Sequence, residues 1–225
     1  MTAMRRILIV NTHSVLNSGD AAIVLAQTRW LQRAIPGLRL ALTSRTAALD
    51  RALYEPLGIR VIPALYDVPS IFSGGPEKWA KSLASLARIR AKTDLVREIG
   101  RADLVIGSGG GYFYSSRPSG PGPMFLQNLL HLKLACWMKK PVILFPQSFG
   151  PTFDPRSAQL LGNLVSDPSV KRILVREENS LRYLERVLGK EFDPARFRLC
   201  PDAAFLLAPE EEAGCVGPQS PPRLR

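Results

Sequence analysis

Asp103-Leu-Val-Ile-Gly-Ser-Gly-Gly-Gly-Tyr-Phe-Tyr114 decides how the rest of the chain is read. Leu104 to Ile106 is a short apolar run of the kind that forms a buried strand. It empties into Gly107, Gly109, Gly110 and Gly111. Glycine reaches backbone angles other residues avoid and lets another group approach the chain closely. In open α/β sheets, ligands bind beyond the carboxyl ends of the strands. Three successive glycines directly after a strand therefore read as a binding loop, with a bare tight turn as the plainer alternative. The spacing is not that of the dinucleotide fingerprint.

Outward from this stretch, apolar strands and helical periodicities alternate. Strands are read at Ile7–Val10, Leu38–Ser44, Arg60–Ile62, Val142–Phe145, Ile173–Val175 and Arg198–Pro201. Helices are read at Ala21–Ile35, Ala47–Leu57, Lys78–Gly100, Met124–Met138, Ser157–Val165 and Leu181–Leu188. This alternation predicts an α/β fold: a Rossmann-like parallel sheet with helices on both faces. One domain is expected over residues 1–209. Glu210–Arg225 has neither period and is rich in Pro, Gly and Glu, so it reads as a disordered tail. Ser115–Pro123 has the Ser, Gly and Pro content of a lid.

The strands end in polar or glycine-bearing loops: Asn17–Asp20, Gly109–Phe113, Gln147–Pro151, Arg176–Ser180, and Asp202. These supply the candidate substrate-binding residues Asn17, Gly19, Gly109, Gly110, Gly111, Gln147, Ser148, Gly150, Arg176, Glu177, Ser180 and Asp202. Arg176 follows an apolar strand directly and suits bidentate capture of a carboxylate or phosphate. An ion pair with Glu177 or Glu178 is the alternative. Asp20 sits where a helix N-cap would sit, with Ser18 as the other choice. Backbone amides at that helix start favour an anion. His13 lies in the same loop, whereas His131 falls on a helix and reads as packed.

The 225 residues carry a formal net charge of +11. That charge suits an anionic small molecule or an anionic membrane surface. The basic residues are scattered, without aromatic interleaving, so nucleic acid is not expected. No apolar run reaches the roughly 18 residues of a membrane span. Cys136, Cys200 and Cys215 fit neither a disulfide framework nor a metal site. They read as free thiols in the cytoplasm, which includes the inner face of the membrane. No metal or cofactor is expected.

Five pieces together resemble the polysaccharide pyruvyl transferase family: Asn17-Ser-Gly-Asp-Ala-Ala-Ile23, Gly109-Gly-Gly-Tyr-Phe113, Pro146-Gln-Ser-Phe-Gly-Pro151, Val175-Arg-Glu-Glu-Asn-Ser-Leu181 and Pro201-Asp-Ala-Ala-Phe205. The resemblance spans Ile7 to Leu207. It implies the N-terminal half of a glycosyltransferase-B-like architecture. It also implies transfer of a pyruvyl group from phosphoenolpyruvate to a saccharide or lipid-linked saccharide acceptor, forming a ketal on a cell-surface polymer. By the same resemblance, Arg176 contacts the donor anion and the glycine loops line the cleft. Asp20 and His13 are the groups available as general acid and base. The family's Arg-x-His element is missing from this sequence, which implies a single half of the enzyme, inactive alone. Half of a nucleotide-sugar glycosyltransferase and a non-catalytic binding protein are the competing readings.

Overall fold

The computed structural model describes residues 6–64, 94–115 and 120–207. Residues 116–119 of the lid expected over Ser115–Pro123, the tail over Glu210–Arg225, Cys215 and the start of the long basic helix lie outside them.

Eight strands form one sheet: β1 (Arg6–Val10), β2 (Arg39–Ser44), β3 (Ile59–Pro63), β4 (Leu104–Gly107), β5 (Gly110–Ser115), β6 (Val142–Thr152), β7 (Val170–Val175) and β8 (Phe197–Leu199). Every pairing is parallel, in the order β3-β2-β1-β4-β6-β7-β8. Six α-helices are described: α1 (Ser18–Ala34), α2 (Ala47–Tyr54), α3 (Asp94–Arg101), α4 (Pro123–Trp137), α5 (Pro155–Val165) and α6 (Glu178–Leu188). The predicted α/β class is therefore the observed one.

The central strands are apolar at consecutive positions because both faces are covered. Leu8 and Val10 join a core with Leu95, Leu132, Leu161 and Leu184 from α3 to α6. Ile7 and Ile9 point the other way, to Val24 and Leu31 of α1 and to Tyr54 of α2.

The largest departure from the sequence reading concerns two expected loops. Gly110–Phe113 belongs to strand β5, and Gln147–Thr152 continues β6. β6 pairs first with β4, through Val142 to Leu144, and then with β5, through Gln147 to Thr152. β4 and β5 thus occupy one lane beside β6, interrupted at Ser108-Gly109. Phe113 stacks on Phe149 at 5.7 Å between centroids, with 1° between planes. Both rings are buried. This stacking and the β6 ladder hold the glycine-rich segment as a fixed wall.

Two other boundaries shift. The N-cap of α1 is Asn17 rather than Asp20 or Ser18: its Oδ1 accepts from the backbone amides of Gly19 (3.0 Å) and Asp20 (3.4 Å). Asp20 lies in the first turn, where its charge complements the helix dipole. Helix α6 starts at Glu178, so Ser180 sits in its first turn and not in a loop.

Truncating Phe113 to Ala should cost roughly 3–5 kcal/mol in urea unfolding, as for a buried aromatic in a well-packed core. A loss below about 1 kcal/mol would mean that the β6 ladder holds the segment without the ring.

Candidate functional site

In the strand order, the chain leaves β1 toward β2 and leaves β4 toward β6, so the switch point lies between β1 and β4. Open α/β sheets form their ligand crevice at such a point, beyond the carboxyl ends of the strands. The loop after β1 begins with Asn11, in a positive-φ conformation (63°), followed by Thr12 and His13. The Thr12 hydroxyl donates to the carbonyl of Thr43, tying this loop to β2. Asp50, fully buried, reinforces the tie: it accepts from Ser44 Oγ (2.6 Å), Thr46 Oγ1 (2.9 Å) and the Val15 amide (3.2 Å).

Arg45 follows β2 directly, and its guanidinium donates to His13 Nδ1. Burial first, and the Arg45 charge second, push the His13 pKa down to about 3. His13 is therefore a neutral imidazole at neutral pH, with Nδ1 engaged as an acceptor. Asp20 lies 3.9 Å from that nitrogen. Burial raises the Asp20 carboxyl above its ordinary pKa, while the charges of Arg45 and Arg176 hold it back. Both guanidiniums thus act on one carboxyl group. Tyr112, on β5, packs its ring 5.2 Å from the His13 ring and donates its hydroxyl proton to the Ser108 carbonyl. Burial keeps that phenol protonated.

The opposite wall is built on β6 and β7. Arg176 Nε donates to Ser148 Oγ (2.6 Å), and Nη1 donates to Asp202 Oδ2 (2.8 Å). Its ion partner is thus Asp202, in place of the Glu177 or Glu178 expected from sequence. Glu178 pairs with Arg182 instead. Arg176 Nη2 lies 3.2 Å from where a Cβ on Gly111 would stand, so a side chain there would press on the guanidinium. Asp202 also caps the 3-10 turn Ala203–Leu206 through the Ala204 amide (2.9 Å). That turn packs against α1 and carries the chain back over the sheet edge. Glu177 is held below the usual carboxylate pKa by hydrogen bonding with Ser148, against the cost of burial, with Ser180 and Arg176 adding. Ser180 Oγ donates to Glu177 Oε1 (3.0 Å) and accepts from the Phe149 amide (2.8 Å). Gln147 is fully buried, and neither atom of its amide has a protein partner.

A family model of polysaccharide pyruvyl transferases matches residues 17–220. The chain belongs to the polysaccharide pyruvyl transferase family. No curated protein matches it.

The switch-point edge of the sheet gathers Asn17, Asp20, His13, Gly111, Ser148, Arg176, Glu177 and Asp202. Other candidates have packing reasons of their own. A Cβ on Gly109 would stand 2.7 Å from the Pro146 carbonyl oxygen. Gly110 adopts φ 137°, which only glycine enters freely. At Gly150 a Cβ would meet the Tyr183 ring at 2.7 Å. Arg45 and Tyr112 are the residues the sequence reading missed. Arg45 carried the same signal as Arg176, an arginine at the end of a strand. Among the described residues, no group of three or more His, Cys, Asp or Glu side chains is placed to hold a metal ion.

The chain's two histidines both stay neutral in the fold, because burial and the Arg45 charge also push His131 down to about 3. His131 Nδ1 lies 2.8 Å from Asn11 Oδ1 beneath the crevice. The unfolded chain takes up protons at these groups below about 6.5 and the folded chain does not, so stability falls as pH drops through this range. Carboxylates held low by the fold, such as Glu177, add their loss only below about 4.5. Urea midpoints should therefore fall between about pH 6.5 and pH 4.5, and His131→Gln should shrink that fall. An equal fall in the variant would assign the slope to other groups.

Proposed function

We propose that this crevice binds phosphoenolpyruvate for the family's reaction, transfer of the pyruvyl group to a saccharide, or a lipid-linked saccharide, as a ketal. The observation that carries this reading is the grouping of Arg45, His13 and the partly buried Asp20 at one sheet edge, with the Arg176 charge acting on the same carboxyl. Such an arrangement suits a small polyanion that must also receive a proton.

In this mechanism the two guanidiniums hold the phosphate and carboxylate of the donor. Asp20, its pKa raised, gives a proton to the terminal methylene carbon of phosphoenolpyruvate, which becomes a methyl group. A sugar hydroxyl forms the new C–O bond at the neighbouring carbon and loses its proton. The C–O bond to phosphate then breaks, and the phosphate leaves with the electron pair. A second hydroxyl closes the ketal, its proton leaving with the phosphate. His13 positions Arg45 through Nδ1, and the Ser148–Asp202 pair orients Arg176. Gly111 keeps the approach to Arg176 open.

Titration calorimetry with phosphoenolpyruvate should show binding that Arg176→Ala weakens by about 10–100-fold, while the far-ultraviolet circular dichroism stays unchanged. Asp20→Asn should retain donor binding and abolish ketal formation on a saccharide acceptor. Unchanged donor affinity in Arg176→Ala, or displacement of the donor by a nucleotide sugar, would overturn the assignment.

A further inference from the structure

A cavity of about 320 Å³ opens on the opposite edge of the sheet, where the strands begin. Its lining includes Arg6, Arg39, Arg60 and Arg101, with Glu98 as the one acidic residue among the described residues of the lining. The arginines come from four separate elements: the starts of β1 and β2, strand β3, and the end of α3. Arg6 and Arg39 are direct partners in the β1–β2 register, and Arg60 pairs with Ala41 two residues on from Arg39. Residues paired in a parallel ladder share a face, so the three strand arginines stand on one side of the sheet. That is also the face carrying Leu8, Ala41 and the apolar side of α3. The small Ala41 side chain leaves the floor recessed between them.

Glu98 is largely buried and already engaged. It takes Arg60 Nη1 at 2.5 Å and Arg101 Nη1 at 3.3 Å. Asp103, next to the cavity, accepts from the Arg6 backbone amide (3.0 Å). Among the described residues, the lining thus sets four arginines against one carboxylate, which Arg60 and Arg101 engage, and Arg6 and Arg39 are paired across neighbouring strands. Like charges directly opposed across a ladder are destabilising. Guanidiniums gathered at a recessed floor suit an oxyanion that accepts several N–H donors at once.

We propose that this cleft binds a phosphoryl group carrying two or more negative charges, at a site separate from the crevice at the carboxyl edge. The proposal does not depend on pyruvyl transfer. The phosphoryl group belongs either to a free phosphate compound or to an anionic lipid headgroup, which present the same chemistry to the arginines.

Inorganic pyrophosphate titrated into the full chain, and sedimentation with phosphatidylglycerol vesicles against phosphatidylcholine vesicles, separate the two sources. The Arg39→Gln/Arg60→Gln double variant should weaken whichever binding occurs by roughly tenfold or more, with melting temperature as the check on folding. Glu98→Gln should tighten it by removing the carboxylate. Pyrophosphate binding with no preference for anionic vesicles identifies a free ligand. Vesicle binding lost in the double variant identifies a headgroup. Binding that survives in the double variant but is lost in Arg176→Ala would put the anion in the crevice and overturn the proposal. Absence of binding to both probes would also overturn it.

Discussion

Hydrogen bonding along β6 governs the geometry of the functional edge. One long strand supports two shorter ones in succession, β4 at its start and β5 at its end. The interruption at Ser108-Gly109 brings the backbone over Pro146, where the carbonyl oxygen leaves no room for a Cβ. The same ladder sets Ser148 opposite Arg176 and Tyr112 beside His13. Phe113 on Phe149 locks this arrangement from below. The polar groups of the crevice are thus positioned by a sheet, whose spacing is fixed, rather than by free loops.

Electrostatics in the crevice follow from burial. Two guanidiniums and a carboxyl share a half-enclosed space, and the histidine between them is kept uncharged. Removing water raises the cost of every charge, so each must be balanced by a neighbour. Arg176 is balanced by Asp202, and the charges of Arg45 and Asp20 act on each other across His13. Removing Arg45 or Arg176 would take away a charge that holds the Asp20 carboxyl down and so change its proton affinity. The basic cleft on the opposite edge is built differently, from exposed ends of strands with a deficit of acid. One sheet therefore carries two electrostatic environments separated by the length of its strands.

The fold was legible because parallel strands buried on both faces are apolar at every position, and runs such as Ile7–Val10 stand out. Strand continuation past Gly110 and Gln147 was not legible. Those stretches are rich in Gly and Pro, which locally signal turns. Their strand character comes from each other, across some forty positions of sequence. Asn17 lost the N-cap assignment to Asp20 because capping depends on where the first helical turn begins, and that turn starts at Ser18. Arg45 was overlooked although it directly follows the strand read over Leu38–Ser44, because that strand ends in the polar Thr43 and Ser44 rather than in an apolar run. The partner of Arg176 lies at Asp202, beyond the reach of a local reading that saw only the adjacent glutamates. The arginine cleft is the extreme case, since strand register unites residues 6, 39 and 60 and the end of helix α3 brings 101 beside them.

The shared lane of β4 and β5 also limits how the length of the chain can change in descendants of this gene. Side chains alternate across a strand, so one residue more or fewer exchanges the two faces. Between Gly107 and Gly110 the backbone is anchored on both sides to the same neighbour. An inserted or deleted residue there has no slack to absorb it. It would drag Phe113 off Phe149 and turn Tyr112 from the histidine. Length variation should therefore be purged from these few positions even where single replacements are tolerated.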